Sequence, residues 1–557
     1  MIDQGTTQGS SPLQADPWES RWSSRARTAA GVILFLGALL RIALFLADSS
    51  LWHDEVMLAI NLVERDYAGL MQPLHYGQVA PIGYLLGERF VINLFGEGAH
   101  SLRLISLLAG LACLPVFLLM ARRLLYPRAA IIALFLFALS EPFIYYSVEL
   151  KPYSLDAMLA MLLVWAAARV LQNGYRAGDG VIFGLIACLG LPFSYTQVFM
   201  IAVVGGTLTL AAFKQKKVNG AIVLAVSCIL SAGFFLLLKK HFMQESESVK
   251  HHQGFWTDMG GFMPVPPRSL RDLEWFIFRP FDFFVDPMRY RAFGLAMLLT
   301  LAGTAVLWRR SKLTLAIFLL PIPFIALVSA TKMYPFGTQS ELRTPMLGRV
   351  LLFVVPMVLM LMGLGLSWVN RLAGRYNRPA MLVMLAILLV HPLHLVAGYL
   401  RHPDEPHDAR PAIDYLAQHV KPGDAVYVNY PANMAAKFYT RPYAEQFKEV
   451  LFFTTTNPQT SLDDSTKDGL YWINPPGYGD WERVFSPLKG RRVWVFFLHA
   501  PDLEGGLRDG KPQPSHRADE KFLRWYLPRI GLKATLNGPD GVWQGGNATL
   551  QLYQMLP

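Results

Sequence analysis

Apolar stretches recur through roughly the first four hundred positions of the chain, and this recurrence limits its possible folds more than any other feature. An α-helix rises about 1.5 Å per residue, so about twenty apolar residues cross the roughly 30 Å hydrocarbon core of a bilayer. The composition agrees, because 53% of the 557 residues are hydrophobic and only 16% are charged. Such a composition excludes a disordered chain and an ordinary soluble enzyme. We therefore predict a polytopic α-helical membrane protein with a soluble tail.

Eleven stretches are predicted to span the membrane, although the third and the fifth are short. They are residues 28–47, 102–120, 129–139, 154–168, 181–191, 197–213, 220–238, 292–308, 313–330, 350–369 and 379–399. Because their number is odd, the two ends of the chain are predicted to lie on opposite sides of the membrane.

The basic residues predict which side each loop faces. If the N-terminus is cytoplasmic, every inside loop carries at least two Lys or Arg residues, whereas the short outside loops carry few. This is the positive-inside bias of membrane proteins. The net charge of +11 would also suit nucleic-acid binding, but the placement of the charges indicates the membrane instead, so no nucleic-acid partner is predicted.

Three regions are predicted along the chain. Residues 1–27 are polar and form a disordered cytoplasmic tail without a cleaved signal peptide, and residues 28–400 form the membrane domain. In residues 401–557 strands alternate with helices, which favours a soluble α/β domain outside the membrane. This domain covers a cavity, binds an acceptor or acts only as a structural cap.

The outside loops 48–101 and 239–291 are long, whereas the inside loops are short. Any chemistry is therefore predicted on the outer face. No inside segment is large enough for a nucleotide-binding domain, and no P-loop pattern is present. These features argue against an ATP-driven pump and against an enzyme that uses cytosolic nucleotide-sugars.

The first outside loop begins with Trp52-His53-Asp54-Glu55, a few residues beyond the first span. Acids in the first turn of a helix often do no more than favour the helix dipole. At a membrane surface, however, desolvation raises a carboxylate pKa towards the range of a general base. Successive helical residues diverge by about 100°, so Asp54 and Glu55 cannot share one task.

Two further polar clusters border the membrane. Glu149, Lys151 and Tyr153 follow the third span, where aromatic and charged groups suit either sugar contact or an interfacial aromatic belt. Tyr334 and Arg349 flank the start of the tenth span, where an arginine either snorkels or holds a lipid phosphate. The histidines have no convincing metal-ligand spacing, so no metal site is predicted, and a divalent cation stays open.

Together these segments resemble membrane glycosyltransferases of the GT-C superfamily, specifically the bacterial dolichyl-phosphate-mannose-protein-mannosyltransferase-like group. The resemblance covers about 400 residues of the membrane domain and is weaker in the tail. The residues that carry it are Trp52-His53-Asp54-Glu55, Gln78-Val79-Ala80-Pro81, Arg103 with Ser106 and Gly110, Glu149-Leu150-Lys151-Pro152-Tyr153-Ser154, and Gly348-Arg349 leading into Leu351-Leu352-Phe353 and Pro356.

The resemblance implies a GT-C fold, an outward cavity and inverting transfer of a sugar from a polyprenyl-phosphate donor in a bacterial cytoplasmic membrane. Asp54 is then the candidate base, and Glu55 orients a substrate or assists a cation. The donor phosphate is expected to bind Arg349, with Lys151 and Arg343 as further ligands. The expected substrate-binding residues are His53, His75, Tyr76, Gln78, Arg103, Glu149, Tyr153 and Tyr334. The chain lacks the Asp-x-Asp pattern that resembles metal-dependent oligosaccharyl transferases.

Two other function classes fit parts of this pattern. A secondary transporter would show repeated halves and ionisable groups near mid-membrane, whereas here the charges collect on one aqueous side. A ligase or flippase for lipid-linked glycans could use the same cavity. The sequence leaves open which sugar is moved and whether the acceptor is an envelope glycolipid, a polysaccharide or a protein.

Overall fold

The computed structural model describes most of the membrane domain and parts of the tail. The main described ranges are residues 22–242, 260–337, 347–403, 409–428 and 430–454. Shorter described pieces are residues 253–254, 256–257, 472–473, 488, 490–498, 507–508, 511–512, 534–536, 542–545 and 548–555.

Helices make up the described membrane domain. They are α1 Ser24–Leu46, α2 His53–Glu64, α3 Ile82–Phe95, α4 Ala99–Leu124, α5 Pro127–Ala138, α6 Glu141–Tyr145, α7 Tyr153–Gln172, α8 Ala177–Gly190, α9 Gln197–Lys214, α10 Val218–Phe242, α11 Leu270–Val285, α12 Phe293–Arg310, α13 Lys312–Ala330, α14 Val355–Leu372 and α15 Asn377–Arg401. A 3₁₀ turn, Leu347–Val354, leads directly into α14. Capping residues mark several ends: the Ser23 side chain caps α1, Pro127 begins α5, and Gly96 ends α3.

Each of the eleven predicted spans overlaps one of these helices. Eight helices of the described chain are long and apolar enough to cross a membrane, and α5 and α8 are shorter apolar helices. The prediction of a helical multi-pass membrane protein is therefore confirmed. The count of eleven spans stays a prediction.

Helix α14 is the centre of the membrane domain, and all its residues from 355 to 367 are buried. Glycines allow its neighbours to approach closely. A side chain at Gly303 of α12 would strike the Leu361 carbonyl of α14, and one at Gly363 would strike Ala133 of α5. Small residues at helix crossings are the usual means of tight packing in membranes. The 3₁₀ turn before α14 is therefore anchored on a rigid element.

The described tail contains two helices and a mixed sheet. The helices are α16 Ala409–His419 and α17 Tyr430–Tyr439, and the strands are β1 Ala425–Val428, β2 Leu451–Thr454, β3 Trp472–Ile473, β4 Arg492–Leu498, β5 Leu507–Arg508, β6 Lys511–Pro512, β7 Ala534–Leu536, β8 Val542–Gly545 and β9 Ala548–Met555. The order of the main sheet is β3-β2-β1-β4-β9-β7, with β8 also paired to β9. Strands β1, β2, β3 and β4 pair in parallel, and β9 is antiparallel to β4.

The tail packs on the loop of residues 48–101, which was predicted to lie outside. Helices α2 and α3 share one apolar cluster with α16, α17 and the central strands. At its edge Lys437 pairs with Glu64 at 2.9 Å, and the buried Leu51 N–H donates to the Tyr439 hydroxyl at 2.6 Å. The first loop therefore lies between the membrane helices and the tail.

Candidate active site

Helix α2 sets the direction of the two neighbouring acids. It begins at His53, and the Glu55 carboxylate accepts a hydrogen bond from the Trp52 backbone N–H at 3.1 Å, as in a capping box. Because successive helical residues diverge by about 100°, Asp54 points away from Glu55. The two acids accordingly have different partners.

Asp54 is bound by two cations and an amide. One carboxylate oxygen lies 3.2 Å from Lys151 Nζ and 3.1 Å from Arg349 Nη2, and the other accepts from Gln78 Nε2 at 3.1 Å. Burial raises the pKa of Asp54, but the charges of Lys151 and Arg349 and the hydrogen bond from Gln78 outweigh burial and hold the pKa well below its usual range. Asp54 is therefore ionised, and its side chain remains 18% exposed.

Lys151 and Gln78 support each other beside Asp54. The Lys151 ammonium donates to Gln78 Oε1 at 2.9 Å, which fixes the orientation of the amide towards Asp54. The backbone of Lys151 is held by the Ser106 hydroxyl of α4 at 3.0 Å. Gly110 on the same helix has no side chain, so Ser147 packs directly against it. The short segment 146–152 is thus fixed on α4 with its lysine directed at Asp54.

Arg349 lies in the 3₁₀ turn before α14 and contacts the same Asp54 carboxylate as Lys151. Its Nε donates to the Tyr153 hydroxyl at 2.8 Å while its Nη2 contacts Asp54. Its guanidinium also lies over the Trp52 ring, 5.6 Å from the ring centroid, and 5.9 Å from that of Tyr153. The aromatic rings and the hydroxyl therefore fix the plane of the guanidinium.

Gly348 allows Arg349 to take this position. Its N–H donates to Asp286 Oδ2 at 2.8 Å, and a Cβ atom at Gly348 would lie 2.5 Å from the Asp286 carbonyl carbon and from the Pro287 nitrogen. Only glycine fits so close to another backbone. The sequence analysis did not identify Asp286, because nothing local connects it with a turn 62 residues away.

Glu55 and Arg103 form a buried ion pair behind the Asp54 site. Arg103 Nε and Nη2 donate to the two Glu55 oxygens at 3.0 and 2.7 Å, and the Leu150 N–H donates to Glu55 at 2.6 Å. Arg103 also holds the carbonyls of Ser49 and Ser50. These contacts make Glu55 a link between α2, α4 and segment 146–152. That Glu55 orients a substrate or assists a cation stays a prediction. Arg103 likewise has protein partners on its guanidinium.

Glu149 is the second acid of the site. Its Oε1 accepts from the Trp52 indole N–H at 2.8 Å, and the residue is only 2% exposed. Burial, followed by the negative charge of Glu55, raises the pKa of Glu149 to about 8. Trp52 therefore joins Glu149 to Arg349, a role that its place in the sequence did not reveal. The sequence signal for this role is that the amphipathic indole of Trp52 lies two positions before the candidate base Asp54.

Three of the other predicted substrate-binding residues, all tyrosines, contact neighbouring protein groups. Tyr153 contacts Arg349 directly, whereas the Tyr334 hydroxyl donates to the Val350 carbonyl at 2.8 Å. Tyr76 accepts from Lys437 of the tail at 3.2 Å. The remaining predicted residues are His53, which begins α2 and is partly buried, and His75, which is exposed beside Tyr76.

Arg343, predicted to bind phosphate, lies outside the described residues. Within the described ranges, no group of three or more His, Cys, Asp or Glu side chains is arranged to hold a metal ion. Glu141 forms a separate charged group with Arg289, whose Nε lies 3.4 Å from the carboxylate. The same carboxylate accepts a hydrogen bond from the Tyr399 hydroxyl at 2.7 Å. Arg289 and Tyr399 were not predicted from the sequence.

Comparison with protein families identifies one match. Residues 80–235 match the family described as dolichyl-phosphate-mannose-protein mannosyltransferase. The matched segment includes Arg103, Glu149, Lys151 and Tyr153, and it begins after Asp54. No curated protein sequence matches the chain.

Two solved structures of one protein have the same fold as this chain. ArnT from Cupriavidus metallidurans bound to undecaprenyl phosphate has 14% sequence identity and a TM-score of 0.53, covering 94% of this chain and 98% of that one. The same protein in the apo state has 14% identity and a TM-score of 0.51 with the same coverage. The Archaeoglobus fulgidus oligosaccharyltransferase in the apo form has 13% identity and a TM-score of 0.45, covering 74% of this chain and 64% of that one. The family match and the ArnT fold confirm the resemblance inferred from the sequence.

Proposed function

We propose that this protein is an inverting glycosyltransferase that moves a sugar from a polyprenyl-phosphate donor to an acceptor hydroxyl. The observation that carries the proposal is the ionised Asp54 between Lys151 and Arg349. One carboxylate beside two cations supplies a base and a phosphate site within a few ångströms. The family match and the fold of ArnT, whose structure holds undecaprenyl phosphate, support the lipid carrier.

In this structure Asp54 is paired with Lys151 and Arg349, the two cations that the donor phosphate needs. A lipid phosphodiester that binds Lys151 and Arg349 takes their charge away from the carboxylate. The pKa of Asp54 then rises towards its ordinary value, because those charges are what hold it low. Donor binding thus turns a stabilised carboxylate into a base.

The transfer is then a single displacement at the anomeric carbon of the sugar. The acceptor oxygen attacks the anomeric carbon of the sugar from the face opposite the phosphate, while its proton passes to Asp54. The bond between the anomeric carbon and the phosphate oxygen breaks, and the phosphate leaves with the electron pair. Arg349 and Lys151 stabilise the charge that develops on the leaving phosphate.

The proposed topology has eleven spans, a cytoplasmic N-terminus and residues 401–557 on the outer side of the cytoplasmic membrane. The charge bias of the loops supports this orientation. Activated nucleotide-sugars are made in the cytosol, so an outward site needs a donor that has crossed on lipid. Residues 1–27, 28–400 and 401–557 are the proposed regions.

The test uses purified full-length protein in detergent with undecaprenyl-phosphate-linked radiolabelled monosaccharides and a glycolipid extract from cells that lack the protein. Release of undecaprenyl phosphate is measured for the wild type, Asp54→Asn and Asp66→Asn. Asp66 is an exposed acid of the same loop and serves as the matched control. We expect Asp54→Asn to lower turnover at least a hundredfold and Asp66→Asn to leave it unchanged.

Wild-type turnover in Asp54→Asn would contradict the assigned base, and failure to release carrier from any donor would contradict the reaction class. Mass spectrometry of envelope glycolipids, polysaccharides and glycoproteins from cells lacking the protein then identifies the sugar and the acceptor.

A further inference from the structure

Glu149 is a buried acid that the proposed displacement does not use. Its Oε1 accepts from Trp52, and its Oε2 is buried without a hydrogen-bond partner among the described residues. An ionised carboxylate is costly to bury with one oxygen unsatisfied, whereas a protonated carboxyl group avoids most of that cost. The geometry therefore favours the neutral acid.

Burial and the negative charge of Glu55 outweigh the two cations near Glu149, whose charges act in the opposite direction and lower its pKa. The two nearby cations, Lys151 and Arg349, are already paired with Asp54. Glu55 of α2 adds a negative charge that opposes ionisation of a second carboxylate. The other titratable groups that face Glu149 are phenols from three helices, which are uncharged at neutral pH: Tyr145 and Tyr146 of the α6 region, Tyr153 of α7 and Tyr399 of α15.

We propose that Glu149 holds a proton throughout the reaction and that this proton matches the net charge of the site to that of the lipid phosphate. Glu149 is then a positioning residue that acts through the electrostatics of Arg349 and Lys151. This inference rests on the proposed function, because it takes a lipid phosphate as the ligand.

The charges balance at both ends of the reaction only if Glu149 is neutral. The ion pair of Glu55 and Arg103 cancels, so Asp54, Lys151 and Arg349 leave the resting site with one net positive charge. A sugar-linked phosphodiester carries one negative charge. After transfer Asp54 has gained a proton and the site carries two positive charges, while the released phosphomonoester carries up to two negative ones.

Ionised Glu149 would lower the net charge of the site by one, both before and after the transfer. The site would then be neutral when the donor arrives and would hold the product with one charge too few. Since the pKa of Glu149 is raised to about 8, its neutral form prevails below that pH and is lost above it. Each further pH unit lowers the protonated fraction about tenfold. Phosphate binding should therefore weaken in alkaline solution.

The experiment measures binding of undecaprenyl phosphate to the full-length protein in detergent between pH 6 and 9.5. Three proteins are compared: the wild type, Glu149→Gln and Glu141→Gln. Glutamine keeps the shape of Glu149 and cannot ionise, and Glu141 is a buried acid with its own cation, Arg289. The second ionisation of the phosphate lies near pH 6 and is common to all three proteins.

We expect wild-type affinity to fall by up to tenfold per pH unit above pH 8, and Glu149→Gln to lose this alkaline decline while binding normally at pH 7. Glu141→Gln should keep the decline. Infrared spectroscopy supplies a second readout: the band of protonated carboxyl groups at pH 7 should be weaker in Glu149→Gln than in the wild type, and this difference should titrate near pH 8 without any ligand.

Three results would overturn the inference. They are an unchanged alkaline decline in Glu149→Gln, a large loss of its binding at pH 7, and a carboxyl band of equal strength in Glu149→Gln and the wild type. Each of these leaves the proposed function standing if the wild type binds the lipid. Wild-type protein that shows the carboxyl band but binds no undecaprenyl phosphate at pH 7 would instead contradict the proposed function, and the inference with it.

Discussion

Arg349 contacts three groups at once, and only a guanidinium has both the donors and the flat face to do so. It donates to Asp54 and to Tyr153 while lying over Trp52. We expect Arg349→Lys to lower turnover at least tenfold, because a single ammonium cannot keep these contacts and still hold a phosphate in a fixed direction. Release of undecaprenyl phosphate measures the effect. Arg441→Lys, on the partly exposed surface of the tail, is the control and should retain activity.

Glu55 should matter for stability more than for chemistry. Removing one partner of a buried ion pair leaves an uncompensated charge, which costs about 3–5 kcal/mol. Glu55→Gln should therefore lower the thermal unfolding midpoint markedly, since Arg103 is 6% exposed. Glu97→Gln is the control, because it removes only the exposed ion pair with Arg441, which contributes about 1 kcal/mol or less. Equal midpoints for the two variants, measured in detergent by tryptophan fluorescence, would contradict the buried-pair assignment.

The residues that meet at Asp54 could be selected from the sequence, but their pairing could not. Gln78, Lys151 and Arg349 were recognised as polar groups near the membrane, and the structure brings all three to one carboxylate. Helix geometry alone predicts that Asp54 and Glu55 cannot share one task, whereas the choice of Asp54 as the base came from the family resemblance. That Glu55 pairs with Arg103, 48 residues away, depends on how α2 packs on α4, and local sequence does not encode that contact.

At the scale of elements, the turn before α14 depends on a glycine. Gly348→Ala would drive a methyl group into the backbone of residues 286–287, so the turn must shift and carry Arg349 away from Asp54. We expect a loss of undecaprenyl-phosphate affinity of at least tenfold. Gly294→Ala in α12 is the matched control, because nothing lies within 4 Å of the added carbon. Equal affinity in the two variants would show that the turn accommodates a side chain.

The membrane helices could be predicted from hydropathy, whereas helices within the long outside loops were harder to find. Helix α3 lies inside the predicted loop 48–101, although Pro81 before it and Gly96 after it are ordinary helix boundary signals. Helix α11 lies in the other long loop, 239–291. Charged side chains favoured loops there, because Glu88 and Arg89 lie within α3, and α11 contains five charged residues: Arg271, Asp272, Glu274, Arg279 and Asp282.

For the whole molecule, the tail holds the first loop against the membrane domain. The Tyr439 hydroxyl accepts from the buried Leu51 N–H, close to the start of α2. Tyr439→Phe leaves that N–H unsatisfied, which costs about 1–3 kcal/mol. We expect a lower thermal midpoint and reduced turnover together. In the control, Tyr443→Phe, the lost bond runs to Asp414 within the tail, so turnover should not change. Reduced turnover in both variants would show a general effect of the tail.

The ionised Asp54 also has a consequence for selectivity. An anion that binds Lys151 and Arg349 competes with the Asp54 carboxylate, which is attached to the protein at very high local concentration. Free phosphate in the surrounding fluid has only its charge to offer and gains little by the exchange. A phosphate on an isoprenoid chain arrives with many apolar carbons that the bilayer keeps beside the protein, so it remains near the site long enough to displace the carboxylate. The carboxylate of Asp54 in this way favours lipid-linked phosphates over soluble anions.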